Sequence, residues 1–515
     1  MPLLRQVILA ALAGVAQAAS LAWPGNGQPL WWLQIVSLAA LAVMLGGTLR
    51  PGRGAALAWV FASAWLCGSF WWLFTSLHTY GGLAAPLAVL AVVGLAVFLA
   101  AYYAAAGALF VRFRPASRMG GGALFAGLWL LAELARNTLW TGFPWGAGGY
   151  AHTSGPLVPL ARLVGAYGVG YVAAWLAMLL STVRLRDLRS LRSWAVLMVV
   201  ATVLSGAGWW RTQALRDVGT QTAPLTLALL QGNISQDEKF QAGTGVPAAL
   251  QWYAEQLLTA KADLVVAPET ALPLLPAQLP TGYLASIAQH FAGSSQAALI
   301  GIPLGDAVKG YTNSVLGFAP DLKPQYRYDK HHLVPFGEFV PPLFRWFINM
   351  LDIPLGDFSR GGLGQASFHW RGERIAPNIC YEDLFGDEIA AHFREPSSAP
   401  TVLLNLSNIA WFGNGLAIDQ HLQISRMRAL EFERPMVRVT NTGATAVIDD
   451  RAALVAMLPR ATRGVLNAQV QGRSGTITPF AWWASRWRLA PLWWLGALCL
   501  LAAVWARSSV SKRGA

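Results

Sequence analysis

Three side chains, each isolated in the sequence, are together sufficient for acyl transfer: Glu269 in Pro268-Glu269, Lys330 at the head of Lys330-His331-His332-Leu333-Val334-Pro335-Phe336-Gly337-Glu338, and Cys380 in Cys380-Tyr381-Glu382. A thiol is mostly protonated at neutral pH, so it becomes a nucleophile only beside a base. The tetrahedral oxyanion created by its attack then needs a cation or aligned donors. A carboxylate, a thiol and an ammonium supply base, nucleophile and cation. Taken singly, each reads otherwise: a lone Glu or Lys is most often exposed, and a free Cys is most often a buried small hydrophobe. Only the set, in this order, points to chemistry.

The elements around these residues can position them. Leu264-Val265-Val266-Ala267 runs into Pro268-Glu269, and an apolar run at 375–379 runs into Cys380, so both groups fall where a buried strand ends and a side chain can emerge. Short apolar runs bounded by turn residues predict further strands at 225–231, 297–303, 314–319, 401–406, 437–439 and 444–448. Helical spacing predicts helices at 248–261 and 283–292. Short strands alternating with helices indicate one α/β domain with its own core.

The rest of the chain is too apolar for ordinary soluble domains, with 55% hydrophobic and 12% charged residues among 515. Runs long enough to cross a bilayer, which takes about 20 helical residues, fall at 4–22, 30–49, 55–77, 83–111, 122–139, 157–180, 194–210 and 489–506. Eight spans are therefore expected, although Arg5 and Ala16-Gln17-Ala18 also let the first read as a cleaved signal peptide. Of the net charge of +13, much lies in alternate connections: Arg50 and Arg53, then Arg112, Arg114 and Arg118, then Arg184, Arg186, Arg189 and Arg192, and finally Arg507, Lys512 and Arg513. The intervening turns at 23–29 and 78–82 carry no Lys or Arg. This is the positive-inside pattern, and it places both termini in the cytoplasm and the α/β segment outside. It also accounts for the charge without nucleic acid, for which no basic stripe interleaved with aromatics exists. The expected organisation is a membrane domain of seven helices over 1–212, an exported catalytic domain over 213–480, and a last helix with its tail over 481–515. Cys67 and Cys499 fall in expected spans, so Cys380 is the lone thiol outside.

Around those residues the chain resembles the apolipoprotein N-acyltransferase family, membrane-bound members of the nitrilase (carbon-nitrogen hydrolase) superfamily. The resemblance rests on Gly142-Phe143-Pro144-Trp145, Gln231-Gly232-Asn233, Pro268-Glu269, the stretch 330–341, Cys380-Tyr381-Glu382, and the stretches 405–412 and 434–443. It implies an αββα sandwich on an eight-helix bundle, with Glu269, Lys330 and Cys380 as the triad and Glu338, Tyr381 and Glu382 as functionally required residues. Phe240 stands where some members carry Trp, and Ala267 replaces a bulkier residue before Pro-Glu. The implied reaction transfers an acyl chain from a phospholipid, phosphatidylethanolamine, to the α-amine of a diacylglyceryl-cysteine through a Cys thioester, at the bacterial inner membrane and without a cofactor. A monomer is expected.

Several expectations attach to other residues. Glu338 and Glu382 would hold Lys330 charged or form structural ion pairs. Phe240, Trp145, Trp346 and Phe347 are expected to contact substrate, and the resemblance implies that Asn408 and Trp411 line the acyl pocket. The apolar segment 342–362 reads either as a lid dipping into the outer leaflet or as a packed amphipathic helix. His331 and His332 lack partners at metal spacing, so no metal site is expected. Arg426, Arg428, Glu431 and Arg434 recur at helical spacing and suggest an ion-paired face. Glu133 is unusual in a span and reads as functional, as lying near an interface or as paired with Arg136. The rival reading is a membrane-tethered amidase hydrolysing a small C–N bond with the same triad.

Overall fold

A computed structural model describes residues 3–183, 223–306, 308, 310–320, 325–340 and 358–513, with isolated positions between 202 and 213. The chain divides into two units, Met1–Trp71, Pro86–Arg216 and Trp487–Ala515 in one, Trp72–Ala85 and Asp217–Arg486 in the other.

The first unit is helical: α1 (Leu3–Leu21), α2 (Trp31–Gly46), α3 (Pro51–Phe70), α4 (Ala85–Phe113), α5 (Arg118–Thr138), α6 (Ala161–Thr182) and a C-terminal helix, Ala490–Arg513. Among the described residues four helical stretches are long and apolar enough to cross a membrane, Leu3–Leu21, Ala85–Phe113, Val158–Thr182 and Ala490–Ser509. The expected span 194–210 lies outside the described residues. The expected span 55–77 is cut short, since α3 ends at Phe70 and Thr75–Tyr80 forms a π-helical turn. Polar contacts explain the change. Trp72 Nε1 donates to Gln420 Oε1 at 3.1 Å, and Ser76 Oγ donates to the Trp411 carbonyl at 2.9 Å, so these residues belong with the second unit. Small residues let helices of the first unit approach closely. A Cβ on Gly127 in α5 would lie 2.6 Å from Cys499 Cβ on the C-terminal helix.

The second unit contains two six-stranded sheets, introduced here in chain order as β1 (Leu225–Gln231), β2 (Leu264–Ala267), β3 (Ala297–Asp306), β4 (Gly310–Phe318), β5 (Tyr326–Asp329), β6 (Phe368–Trp370), β7 (Glu373–Ile379), β8 (Val402–Ser407), β9 (Met436–Thr440), β10 (Ala446–Ile448), β11 (Leu454–Met457) and β12 (Gly464–Val470). The orders are β12-β1-β2-β3-β4-β5 and β11-β10-β9-β8-β7-β6. In each, three central strands are parallel, β1-β2-β3 and β7-β8-β9. Alternate residues of both sheets, among them Leu227, Leu229, Val266, Leu299, Leu404, Leu406, Val437 and Val439, meet in one buried cluster between them. Each such fully buried side chain contributes about 1.5–3 kcal/mol relative to exposure. The opposite face of the first sheet buries Val265, Ile300 and Ile302 together with Leu257 of α7 (Gly245–Thr259) and Ile287 and Phe291 of α8 (Tyr283–Ala292). On the second sheet, helix α9 (Leu416–Phe432) supplies the outer layer. The result is an αββα sandwich.

Candidate active site

Glu269 stands two residues beyond β2, at the C-terminal ends of parallel strands where side chains are free to converge. Its turn is tight: Thr270 takes φ 48°. On β3, Gly301 leaves the necessary room, since a Cβ there would lie 2.2 Å from the Pro268 carbonyl and 2.8 Å from Glu269 Cα. Gly301→Ala is therefore expected to displace the carboxylate, cutting acyl transfer about 10²-fold and destabilising the fold by about 1–3 kcal/mol. Turnover and thermal unfolding of the purified variant check both, and wild-type turnover would refute the close-packing argument.

Lys330 follows β5 and is fully buried. Its Nζ donates to Glu338 Oε1 at 2.9 Å and to Glu269 Oε1 at 3.3 Å. Asn313 on β4 bridges the same two oxygens through Nδ2 at 2.8 Å each. Burial alone would push the lysine pKa down, but Glu338 and then Glu269 overcome it and hold the ammonium charged. The other oxygen of Glu269 accepts the Asn408 main-chain N–H at 2.8 Å. The carboxylate is thus aimed from three sides.

Cys380 closes β7 in a left-handed conformation, φ 52°, a strain on the order of 1–3 kcal/mol for a non-glycine residue. Such an elbow projects the side chain from a strand end. Burial and then Glu269 push the Cys380 thiol up to about 12, while Lys330 pulls the other way. The resting group is a neutral thiol whose charges of influence are Glu269 and Lys330.

The supporting residues fall into place differently from one another. Glu338 contacts Lys330 as expected and also accepts the Val334 N–H at 2.8 Å, closing its own loop. Glu382 does not hold the ammonium. Its carboxylate accepts the main-chain N–H groups of His331 (2.6 Å), His332 (3.2 Å) and Ile379 (2.6 Å) and the Tyr328 hydroxyl (2.9 Å), tying the segment after Lys330 to the one before Cys380. Burial raises its pKa to about 7 despite those donors. Tyr381 is buried against Phe385, with ring centroids 5.3 Å apart. His332 stacks on Phe385 and bonds Glu388 Oε2 at 3.0 Å, in keeping with a structural part.

Among the expected lipid contacts, Asn408 is engaged on every side: Nδ2 donates to Gln236 Oε1 at 2.8 Å and Oδ1 accepts from Asn441 at 3.1 Å. It positions Glu269 and does not present its amide to an open pocket. Phe240 is 36% exposed, and Trp411 is partly exposed with its ring edge-on to Tyr80 at 5.9 Å. Trp145 lies in the helical unit and is buried, its carbonyl accepting from Arg136 Nη1 at 2.6 Å. Arg136 also binds the Phe143 carbonyl, while Glu133 accepts the Gly148 N–H at 3.0 Å, so both buried charges pin that loop. Trp346, Phe347 and most of 342–362 lie outside the described residues. Arg428 and Glu431 are buried on α9 and pair at 3.1 Å, whereas the partly buried Arg426, and Arg434 just past the helix, bond main-chain carbonyls of Ala452 and Pro400.

Lys239, like Asn313, escaped the sequence reading. Lys239, 1% exposed, donates to the Glu269 main-chain carbonyl at 3.2 Å, and burial lowers its pKa to about 8 against the opposing pull of Glu269 and Cys380. Its place directly before the aromatic Phe240 was the available signal, but nothing about a Lys in a polar loop announces burial.

Residues 13–179 match the family model described as apolipoprotein N-acyltransferase N-terminal domain, and residues 226–477 match that described as carbon-nitrogen hydrolase. The chain is 60% identical over 504 residues to the apolipoprotein N-acyltransferase of Verminephrobacter eiseniae, covering 94% of this chain and 93% of that one. It is 46% identical over 501 residues to the protein of that name from Ralstonia nicotianae, covering 96% and 92%. A third, from Bordetella bronchiseptica, is 39% identical over 547 residues and covers 98% of both chains.

Proposed function

The chain belongs to the apolipoprotein N-acyltransferase family of the carbon-nitrogen hydrolase superfamily, and from that membership we propose that it moves a fatty acyl chain from a phospholipid to the α-amine of a lipoprotein's diacylglyceryl-cysteine through a thioester on Cys380. It is a membrane-bound acyltransferase that N-acylates lipoproteins. The observation that carries the thioester route is the buried Lys330–Glu269 contact at 3.3 Å, with both charges bearing on the Cys380 thiol.

In the first half-reaction Glu269 takes the thiol proton as sulfur attacks an ester carbonyl of the donor, the S–C bond forming. Lys330 faces the oxyanion. Collapse breaks the ester C–O bond, and the leaving lysophospholipid oxygen takes the proton back from Glu269. In the second, the neutral α-amine, whose ordinary pKa is about 8, attacks the thioester carbonyl and gives its proton to Glu269. The C–S bond breaks, and the sulfur recovers that proton. Atoms and charges balance without a cofactor, and the kinetics are ping-pong.

Phosphatidylethanolamine is the proposed donor. The alternating arginines support placement in the bacterial inner membrane with the site in the periplasm, residues 1–212 and 481–515 forming the membrane part and 213–480 the catalytic part. Because all three groups come from one chain, a monomer suffices. Purified protein incubated with phospholipid alone should gain the mass of one acyl chain on Cys380, and should pass it to a diacylated lipopeptide. Free fatty acid in place of triacylated peptide would instead indicate the hydrolytic reading.

Lys239 adds a pH signature. Charged below about 8 and neutral above it, this lysine lends Glu269 and Cys380 a positive charge that fades as pH rises through that value. Thioester formation from phospholipid alone is expected to show an alkaline limb there. Lys239→Met should be slower at neutral pH and lack the limb, and a limb persisting in the variant would remove Lys239 from the account.

A further inference from the structure

A chain of three side-chain amides starts from the main chain of Ile234, in the loop after β1. Asn441 Nδ2 donates to the Ile234 carbonyl at 2.8 Å, and Asn441 Oδ1 accepts the Ile234 N–H at 3.1 Å. A main-chain carbonyl can only accept and a main-chain N–H can only donate, so the Asn441 amide has a single orientation. Its Nδ2 also donates to Asn408 at 3.1 Å, and the atom that receives this hydrogen must be Oδ1. Asn408 Nδ2 in turn donates to Gln236 at 2.8 Å, where the receiving atom must be Oε1. Each step fixes the next. The last leaves Gln236 Nε2 at the free end, with two hydrogens to give.

That nitrogen is enclosed and has no acceptor among the described residues, in a side chain whose residue is only 5% exposed. An unmade hydrogen bond on a buried donor is costly, so the group implies an acceptor that comes from outside the chain. Burial does not remove it from the site, since Lys330 and Glu269, which have to meet the substrate, are 0% and 7% exposed. Its place is set by Asn408, whose main-chain N–H donates to Glu269 Oε2 at 2.8 Å, while Lys330 and Asn313 donate to Oε1. Gln236 therefore approaches the base from the Oε2 flank, away from the cation that faces the reacting carbonyl. Lys239, in the same loop, gives its ammonium to the Glu269 main-chain carbonyl. What remains on this flank is a neutral donor. It suits a neutral carbonyl oxygen, whereas a phosphate would call for a charged partner.

We propose that Gln236 Nε2 donates to a non-reacting ester carbonyl of a lipid substrate, and so registers that lipid against Glu269 and Cys380. The subsite rests on the reading of this centre as one that receives a phospholipid and a diacylglyceryl-cysteine. Both carry a suitable oxygen, the phospholipid in the ester of the chain it keeps and the acceptor in its two glyceryl esters. Asn408 and Asn441 are positioning residues that aim the amide.

Replacing such an ester by an ether deletes the carbonyl oxygen and keeps the chain, so discrimination between the two lipids reads this one hydrogen bond. With the full-length protein in detergent micelles, thioester formation is measured from phospholipids whose retained chain is ester- or ether-linked. Transfer is measured from the preformed thioester to lipopeptides whose glyceryl chains are ester- or ether-linked. Wild type is expected to favour the ester about three- to tenfold in at least one arm, the size of a neutral hydrogen bond, through the concentration at half-saturation and not the maximal rate. The arm that discriminates identifies the lipid. Gln236→Met keeps the length of the side chain without its donor and should lose the preference. Any slackening of Asn408 in that variant slows ester and ether alike and cancels in the ratio. Should Gln236→Met fail to fold, Gln236→Glu keeps an oxygen for Asn408, puts a second oxygen where the donor stood, and should lose the preference as well. No preference in either arm, the result if water alone meets Nε2, or a preference that survives in the variant would overturn the subsite. Wild type that forms no thioester from either phospholipid would overturn the proposed reaction, and the subsite with it.

Discussion

Serine at position 380 is expected to reduce acyl transfer on the order of 10⁴-fold or more, the scale of losing a covalent nucleophile. The change replaces one sulfur by one oxygen and adds no volume, so the fold should unfold close to the wild-type temperature. Chemistry supplies the whole effect. Even the native thiol is pushed up to about 12 by burial and then by Glu269, so the proposed route needs Glu269 to take the proton in concert with attack. An alcohol in the same surroundings is far more basic and cannot be ionised by a carboxylate to a useful extent. An oxygen ester, were it formed, would also be a poorer donor to an amine than a thioester, so the second half-reaction would stall. Intact-mass measurement of the variant after exposure to phospholipid and then lipopeptide separates the two failures. Normal production of triacylated peptide by Cys380→Ser would refute covalent catalysis at this residue.

How much of this arrangement could be read beforehand depended on how far each signal lies from its partners. Strands β1, β2, β7 and β8 were legible because they are buried on both faces and read as continuous apolar runs. Edge strands β6, β11 and β12 were not. His369 is exposed on β6, β11 is mostly exposed and β12 is mostly only half-buried, so their hydrophobic pattern is broken and only pairing with a neighbour defines them. Helix α3 was overestimated for the converse reason: Trp71 and Trp72 extend the greasy run, but the side chains that follow find polar partners near Trp411 and Gln420. In the site, residue types made Glu269, Lys330 and Cys380 visible. Asn313 and Lys239 were hidden, because an amide or an ammonium bridging a buried site looks in sequence like any loop or strand polar residue. Gln236 was hidden most deeply. It is a buried polar group whose meaning comes only from partners distant in sequence, the Asn408 and Asn441 amides that fix which way it points.

The ion triad around Lys330 makes the second large effect one of stability as well as rate. Glu269 and Glu338 are each only 7% exposed and share one asparagine amide, so Lys330 is the single cation within bonding distance of both carboxylates among the described residues. Lys330→Met removes that cation and leaves two buried carboxylates facing one another. Breaking a buried pair by removing one partner costs about 3–5 kcal/mol, because the remaining charge stays desolvated without compensation. Activity should fall about 10³-fold in addition, through the lost oxyanion cation. The two losses separate in the double variant Lys330→Met/Glu338→Gln. Neutralising Glu338 removes the repulsion and lets the glutamine amide donate to Glu269, so roughly half of the lost stability should return. Catalysis should not return, because no positive charge faces the reacting carbonyl from this side. Thermal unfolding and thioester formation, measured on wild type, both single variants and the double variant, form a cycle in which stability shows a coupling and rate shows none. If stability does not rebound in the double variant, the destabilisation comes from lost packing of the lysine stem and not from the stranded carboxylates. If the rate rebounds, Lys330 serves the fold alone, and stabilisation of the oxyanion must be credited to main-chain donors at the elbow.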